Sequence, residues 1–332
     1  MANESKRRLQ RASLIAALLS ISVVACSDDP ETYVGRHTEA AGEEQPSTPP
    51  SAAKPSEAKA RITWTGCGIS KIAYMTEAAA AYRKQRGVEV IVTGGGATRG
   101  IRATAAGRSD LGGSCRHCLP TKSGQESEAI LTHVAWDALV FFTHLTNEVS
   151  SITLDQAKAI LLGQVSNWKE LGGADRRIVR VFRRQTRDGK LSGVGYMTRL
   201  MVFSDPAIEF TNDALFEHSS GPVERFVEQT EYSFAVTGVS SANKRKVKIL
   251  QLDGVAPSRG TIASGTYKLF RPLYLVTRGE PTGATKDFVD WIISPDGQSV
   301  LSDAGTVTLK EGEKLGALFP HWPQEPGLVR NH

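Results

Sequence analysis

From residue 61 onward the apolar positions follow two rhythms. Ile62–Thr65 forms a short strand-like run that opens into a glycine-containing loop, GCGIS (66–70). Between Lys71 and Gln85, Ile72, Met75, Ala79 and Tyr82 recur at helical spacing, and Gly87 stands where a left-handed residue ends a helix. Val88–Thr93 alternates like a strand, GGG (94–96) leads into a helix over about 98–106, and a strand at 110–113 runs into SCRHC (114–118). Trp136–Thr143 has the unbroken apolar character of a buried strand. TLDQAKAILLG (153–163) is strongly helical, with Thr153 and Gln156 at capping-box spacing. SNWKELGG (166–173) predicts a short helix and turn, 178–182 a strand, RRQTRDGKLSG (183–193) a polar loop, and 194–203 a helix. Residues 267–277 predict a buried strand pair, and 285–293 a helix with Phe288 and Trp291 on one face. Strands alternating with helices through Gly-rich loops imply an α/β fold with mainly parallel sheets. No internal repeat is visible.

Ahead of this region the pattern changes. Lys6, Arg7, Arg8 and Arg11 precede an apolar run, Leu14–Ala25, that is short for a membrane span and is flanked like a secretory signal. It ends in Val23-Val24-Ala25-Cys26, which resembles a bacterial lipobox and implies a signal over 1–25 and lipidation at Cys26. Residues 26–60, rich in Pro, Ser, Ala and Glu, cannot bury enough surface to offset ordering and are expected to be a tether. Loss of 1–25 removes four basic residues and Glu4 and lowers the formal charge from +5 to +2. That leaves no concentrated cationic stripe for a nucleic-acid partner. The 332 residues, 40% hydrophobic and 23% charged, suffice for two lobes, each with its own core.

The candidate chemistry lies in the loops. GCGIS (66–70), GGGAT (94–98) and KLSGV (190–194) each end at a helix start, where unpaired N–H groups and a partial positive charge attract anions and Gly permits close approach. Any one of these alone is an ordinary turn; three around one cleft could hold a tetrahedral oxyanion. A different class is open through Cys115-Arg116-His117-Cys118. This C-x-x-C, with Cys67, could serve redox chemistry or a thiolate metal site. There is no second C-x-x-C, and Leu119 stands where a c-type haem motif needs His. Neither G-x-S-x-G nor H-E-x-x-H stands out, which argues against a hydrolase. His321 and His332 fall in an irregular tail, 321–332.

ITLDQAKAILLGQVSNWKELGG, a basic strand end followed by Ser-Gly, YKLFRPLYLVTRGEPTG and ISPDGQSVLSDAG occur in an order that resembles the periplasmic phosphate-binding proteins of ABC importers. The resemblance covers residues 62–306. It implies a type II two-lobed solute-binding fold with lobes 61–145 plus 266–320 and 146–265, and an anion cleft between them. It implies a binding protein rather than an enzyme, with inorganic phosphate or a related oxyanion as ligand. An importer permease is its partner, or a receptor if the fold serves as a sensor. The implied form is an exported, lipid-anchored monomer without cofactor or metal. Ser192 and Gly193 match the family's Ser-Gly-Thr anion loop, with Val194 in place of Thr. Arg184 best matches the anion-binding Arg, Arg183 and Arg187 being alternatives, while Lys190 reads as solvated. Cys67, Gly68 and Ser70 occupy the first ligand loop and Thr98 the second. In the third loop, after Ser114, Cys115 stands where the best-known members carry Asp, and Cys115-Arg116 resembles the Ser-Arg of other relatives; Arg116 would supply a bidentate donor, unless it pairs with a carboxylate such as Asp110. The resemblance further implies that Cys67 and Cys115 come close enough for a disulfide, leaving Cys118 free.

Overall fold

The structure, a computed structural model, describes residues 61–119, 124–183, 192–321 and 329–330. It opens with β1 (Arg61–Gly66) and α1 (Gly68–Ser70), which continues through a π-helical stretch, Lys71–Met75, into α2 (Thr76–Arg86). Then come β2 (Glu89–Gly94), α3 (Ala97–Ala105), β3 (Leu111–Ser114) and the long β4 (Ala129–His144). The next stretch holds β5 (Ser151–Ile152), α4 (Leu154–Leu162), β6 (Val179–Arg183), α5 (Gly193–Phe203), β7 (Leu215–Glu217), α6 (Ser220–Gln229) and β8 (Ser233–Gly238). After α7 (Val239–Ala242), β9 (Val247–Ile249), β10 (Gln251–Leu252) and α8 (Arg259–Ala263), the chain returns through β11 (Phe270–Arg278). It closes with α9 (Gly283–Ile293), α10 (Pro295–Asp303), α11 (Leu315–Leu318) and β12 (Val329–Arg330).

Local chemistry sets several of these boundaries. The Thr153–Gln156 capping box forms as the spacing predicts, and Gly163 ends α4 in the left-handed region. The Ser192 hydroxyl accepts from the Gly195 N–H at the start of α5. Ser294 caps α10 just before Pro295, a residue suited to a first helical turn.

The strands run in the order β2-β1-β3-β11-β4-β8-β6-β7, with β9 and β12 also pairing with β4. β1 is parallel to β2 and β3, and β6 is parallel to β7 and β8. Between these parallel groups, β11 and β4 run antiparallel to each other, β11 to β3 and β4 to β8. β4 joins the two lobes of the mixed α/β fold. Its Ala129–Ala138 part pairs with β11, and its Leu139–Thr143 part with β8. A strand shared in this way is covered on both faces. All its residues are buried except Ile130 and His144, which accounts for an apolar run too continuous to show alternation.

The structure corrects two sequence-based expectations. Residues 267–277 hold one strand, Phe270–Arg278, not a pair; Tyr267 lies before it and donates its hydroxyl to the Leu139 carbonyl at 2.9 Å. The strand expected over 136–143 begins seven residues earlier, at Ala129.

Helix α3 lies against β1 and β3 closely enough to require glycine. A Cβ at Gly100 would sit 2.8 Å from the carbonyl oxygens of both Gly113 and Thr65. This contact holds the start of α3 beside the ends of β1 and β3, where the ligand loops lie.

Candidate oxyanion site

Parallel strands deliver their C-terminal ends to one place, and in α/β sheets that is where ligands collect. Here β1 ends at Gly66, β2 at Gly94 and β3 at Ser114, each followed by a loop that touches a common cavity of about 250 Å³, and β6 ends at Arg183, which lines the same cavity. One wall comprises Cys67, Gly68 and Ile69, the Gly94–Ala97 turn and Cys115. The other comprises Arg183, Ser192, Gly193 and Val194, with Ser219, Ser220 and Gly221 at the start of α6. The starts of α1, α3, α5 and α6 thus converge. The N–H groups of a first helical turn lack partners within their own helix, so the cavity is lined by donors. Among the described residues, no carboxylate lines it.

Among the described lining residues, Arg183 is the cation. The guanidinium is buried, donates from Nε to the Ser192 hydroxyl at 3.1 Å and from Nη1 to the Glu217 carbonyl at 3.3 Å. Burial lowers its pKa to about 10, with the Cys67 and Cys115 sulfurs opposing that shift, so it stays charged at neutral pH. Behind the first wall, Arg271 and Asp137 form a wholly buried ion pair at 3.1 Å. Asp137 also accepts from the Ser240 N–H at 3.1 Å and its hydroxyl at 2.8 Å.

Of the residues picked from sequence, Cys67, Gly68, Cys115, Ser192 and Gly193 line the cavity. Four others do not. Ser70 turns to Cys67, their side chains 3.3 Å apart, and the Ser114 hydroxyl donates to the Arg116 carbonyl at 2.7 Å. Arg116 is committed elsewhere: it grips Glu126 with two bonds of 2.9 Å and donates to the Thr98 hydroxyl at 2.8 Å. Asp110, weighed as its partner, instead accepts from the Thr63 N–H and hydroxyl at 2.7 Å each. Burial would raise the Glu126 carboxyl, but hydrogen bonds from Arg116, the Leu119 N–H and Arg102 hold it below its ordinary value. Arg184, Arg187 and Lys190 lie outside the described residues, as does Cys26.

The expected Cys67–Cys115 disulfide is not formed in the structure. Both are free, buried thiols, and each acts on the other's ionisation. Cys118 is free and half-buried. No group of three His, Cys, Asp or Glu side chains placed to hold a metal occurs among the described residues. Sequence reasoning missed Ser219–Gly221. The only signal was a pair of serines before Gly-Pro, with little apolar periodicity to announce a helix.

The walls also touch outside the cavity. His117, between β3 and β4, places its Nε2 3.3 Å from the Tyr196 hydroxyl on α5, ring against ring edge-on with centroids 5.6 Å apart.

Comparison with known proteins agrees with this geometry. A PBP superfamily domain matches residues 53–296. The chain belongs to that superfamily. Among PBP relatives, the Bacillus subtilis phosphate-binding protein PstS is 27% identical over 308 residues, covering 92% of this chain and 95% of that protein. A Clostridium perfringens structure with bound phosphate, assigned as the substrate-binding protein of a phosphate ABC transporter, superposes with a TM-score of 0.67 at 26% identity. That match covers 75% of this chain and 99% of the other. An ABC-type phosphate transport receptor from Vibrio cholerae gives a TM-score of 0.58 at 25% identity, covering 75% and 100%.

Proposed function

We propose that this PBP-superfamily chain binds phosphate, or a closely related tetrahedral oxyanion, between its lobes and delivers it to the permease of an ABC importer. One observation carries the ligand: four helix starts and the buried Arg183 meet around a cavity with no carboxylate among its described lining residues. Such a site neutralises an anion with N–H dipoles and the fixed charge of Arg183 and needs no metal. The relatives named for phosphate binding and phosphate transport supply the importer context. The superfamily is one of binding proteins, so no reaction is assigned.

The rest of the reading follows from the sequence. Residues 1–25 act as a signal, Cys26 carries lipid, and 26–60 tether a monomeric receptor to the outer face of a bacterial membrane. Residues 61–145 with 266–320 and residues 146–265 are the two lobes. No helix of the described residues is long and apolar enough to cross a membrane. Calorimetric titration with phosphate, arsenate, sulfate and molybdate tests the ligand, and binding of none of them would reject it. Mass spectrometry of the membrane fraction tests the anchor: a mature N-terminus other than acylated Cys26 would reject that part alone.

A further inference from the structure

Two thiols that the oxyanion reading leaves unused sit in the first wall of the cavity. Cys67 precedes the first turn of α1, and Cys115 follows β3; both line the cavity, both are buried, and each acts on the other's ionisation. The surroundings favour one negative charge on the pair. Ser70 places its N–H and its hydroxyl each 3.3 Å from the Cys67 sulfur. Arg271 spends Nη2 on Asp137, while its buried Nε and Nη1 have no partner, and its charge acts on both sulfurs. Burial by itself would raise the Cys67 thiol; the neighbouring Cys115, the hydrogen bonds from Ser70 and the Arg271 charge outweigh it and bring the group to about 6. Cys115 moves the other way, chiefly because of Cys67 beside it and its own burial. A thiol whose ionisation is favoured, beside a second thiol, thus sits in a cavity shaped for oxygen-rich anions.

This pair separates two kinds of oxyacid. Phosphate, arsenate and sulfate present a central atom closed by four oxygens, which a cradle of N–H donors grips from outside. Trivalent arsenic and antimony hydroxides instead carry a thiophilic central atom with exchangeable hydroxyls.

We propose that Cys67 and Cys115 make the cleft a covalent site for trivalent arsenic or antimony oxyacids, bound through both sulfurs. Two element–oxygen bonds break and two element–sulfur bonds form. The hydroxide displaced by the Cys67 thiolate takes a proton from solvent, and the one displaced by Cys115 leaves as water with the thiol proton. The third hydroxyl stays on the central atom. No oxidation state changes, so no oxidant or reductant takes part. The proposal shares the cavity of the phosphate reading but not its chemistry, and each can fail without the other.

The test uses the mature chain, purified with a phosphine reductant that is then removed, and sodium arsenite as probe. Native mass spectrometry should show one arsenic per chain, and excess phosphate should slow its uptake. Cys67→Ser or Cys115→Ser turns two-point attachment into one-point, which should weaken binding about a hundredfold or more; Cys118→Ser should bind as wild type does. In unsubstituted protein, arsenite should shield Cys67 and Cys115 from alkylation and leave Cys118 as reactive as before, a readout that does not depend on the variants folding. The proposal is overturned by absence of an adduct in protein that binds phosphate. It is equally overturned by an adduct that survives loss of either sulfur or needs Cys118, or by a Cys67–Cys115 disulfide in the exported protein. Loss of phosphate binding with the arsenic adduct intact would count against the phosphate reading alone.

Discussion

Gly193 faces Cys115 across the cleft so closely that a Cβ at residue 193 would stand 2.7 Å from the sulfur, and 2.8 Å from the Cβ of Ala97. Real Cβ atoms essentially never approach below 3.0 Å, so a side chain here must push the start of α5 off the opposite wall. Overpacking of this kind costs about 1–3 kcal/mol. Gly193→Ala should therefore weaken phosphate binding about 5- to 150-fold in a protein that still folds, because the strain falls between the two walls of the cavity. Calorimetry beside a thermal melt checks this; unchanged affinity would mean that binding does not need this approach.

What the sequence disclosed depends on how local the cause was. Ser192-Gly193, the Thr153 capping box and the glycine turns at 66–68 and 94–96 carry their chemistry within a few residues, and all were legible. The start of α6 was not, because that helix buries a charged residue. Glu224 is wholly buried, accepting from the Thr237 and Ser241 hydroxyls at 2.6 Å each and paired with Arg245 at 3.3 Å, so apolar periodicity is broken at its inner face. Arg116 was misassigned for a related reason. Its partner Glu126 lies ten residues on, and only the fold shows that Asp110 is already held by Thr63.

Arg183 should dominate the charge term in binding. It is buried at the cavity, and its Nε already orients Ser192. Removing a desolvated charged partner costs about 2–5 kcal/mol. Arg183→Ala should weaken phosphate binding from about thirtyfold to a few thousandfold, whereas Arg177→Ala, at an exposed pair with Asp213, should leave it unchanged. Equal effects of the two, measured by calorimetric titration, would remove Arg183 from the site.

Arg116 and Glu126 should behave as structural residues. The pair is almost wholly buried, and Glu126 also receives Arg102 at 3.1 Å and the Leu119 N–H at 3.0 Å. Breaking one side of such a pair costs about 3–5 kcal/mol. Arg116→Met should lower the denaturant midpoint accordingly, with phosphate affinity close to wild type in the folded protein. A collapse of affinity without loss of stability would restore Arg116 as a ligand.

His117 should make the protein acid-sensitive. Burial first, then the charges of Arg116 and His321, lower its pKa from the usual 6.5 to about 4, with Glu126 opposing. A folded-state value below the unfolded one means that the unfolded chain takes up the proton first. The stability contribution is therefore full above about pH 6.5 and lost as pH falls towards 4, on the order of 3 kcal/mol at most. Protonation also disfavours the seat of the ring against Tyr196, so the contact between the walls weakens in the same window. His321, also depressed by burial, adds to the loss with the same sign. Glu311 is held at about 2 by Arg259 against an ordinary 4.5, so its contribution begins to fall only at the acid end of this range and is mostly lost below it. Melting temperature measured from pH 7 to pH 4 should fall steeply in the wild type and less in His117→Phe, which cannot titrate. Parallel curves for the two proteins would show that His117 is not the group responsible.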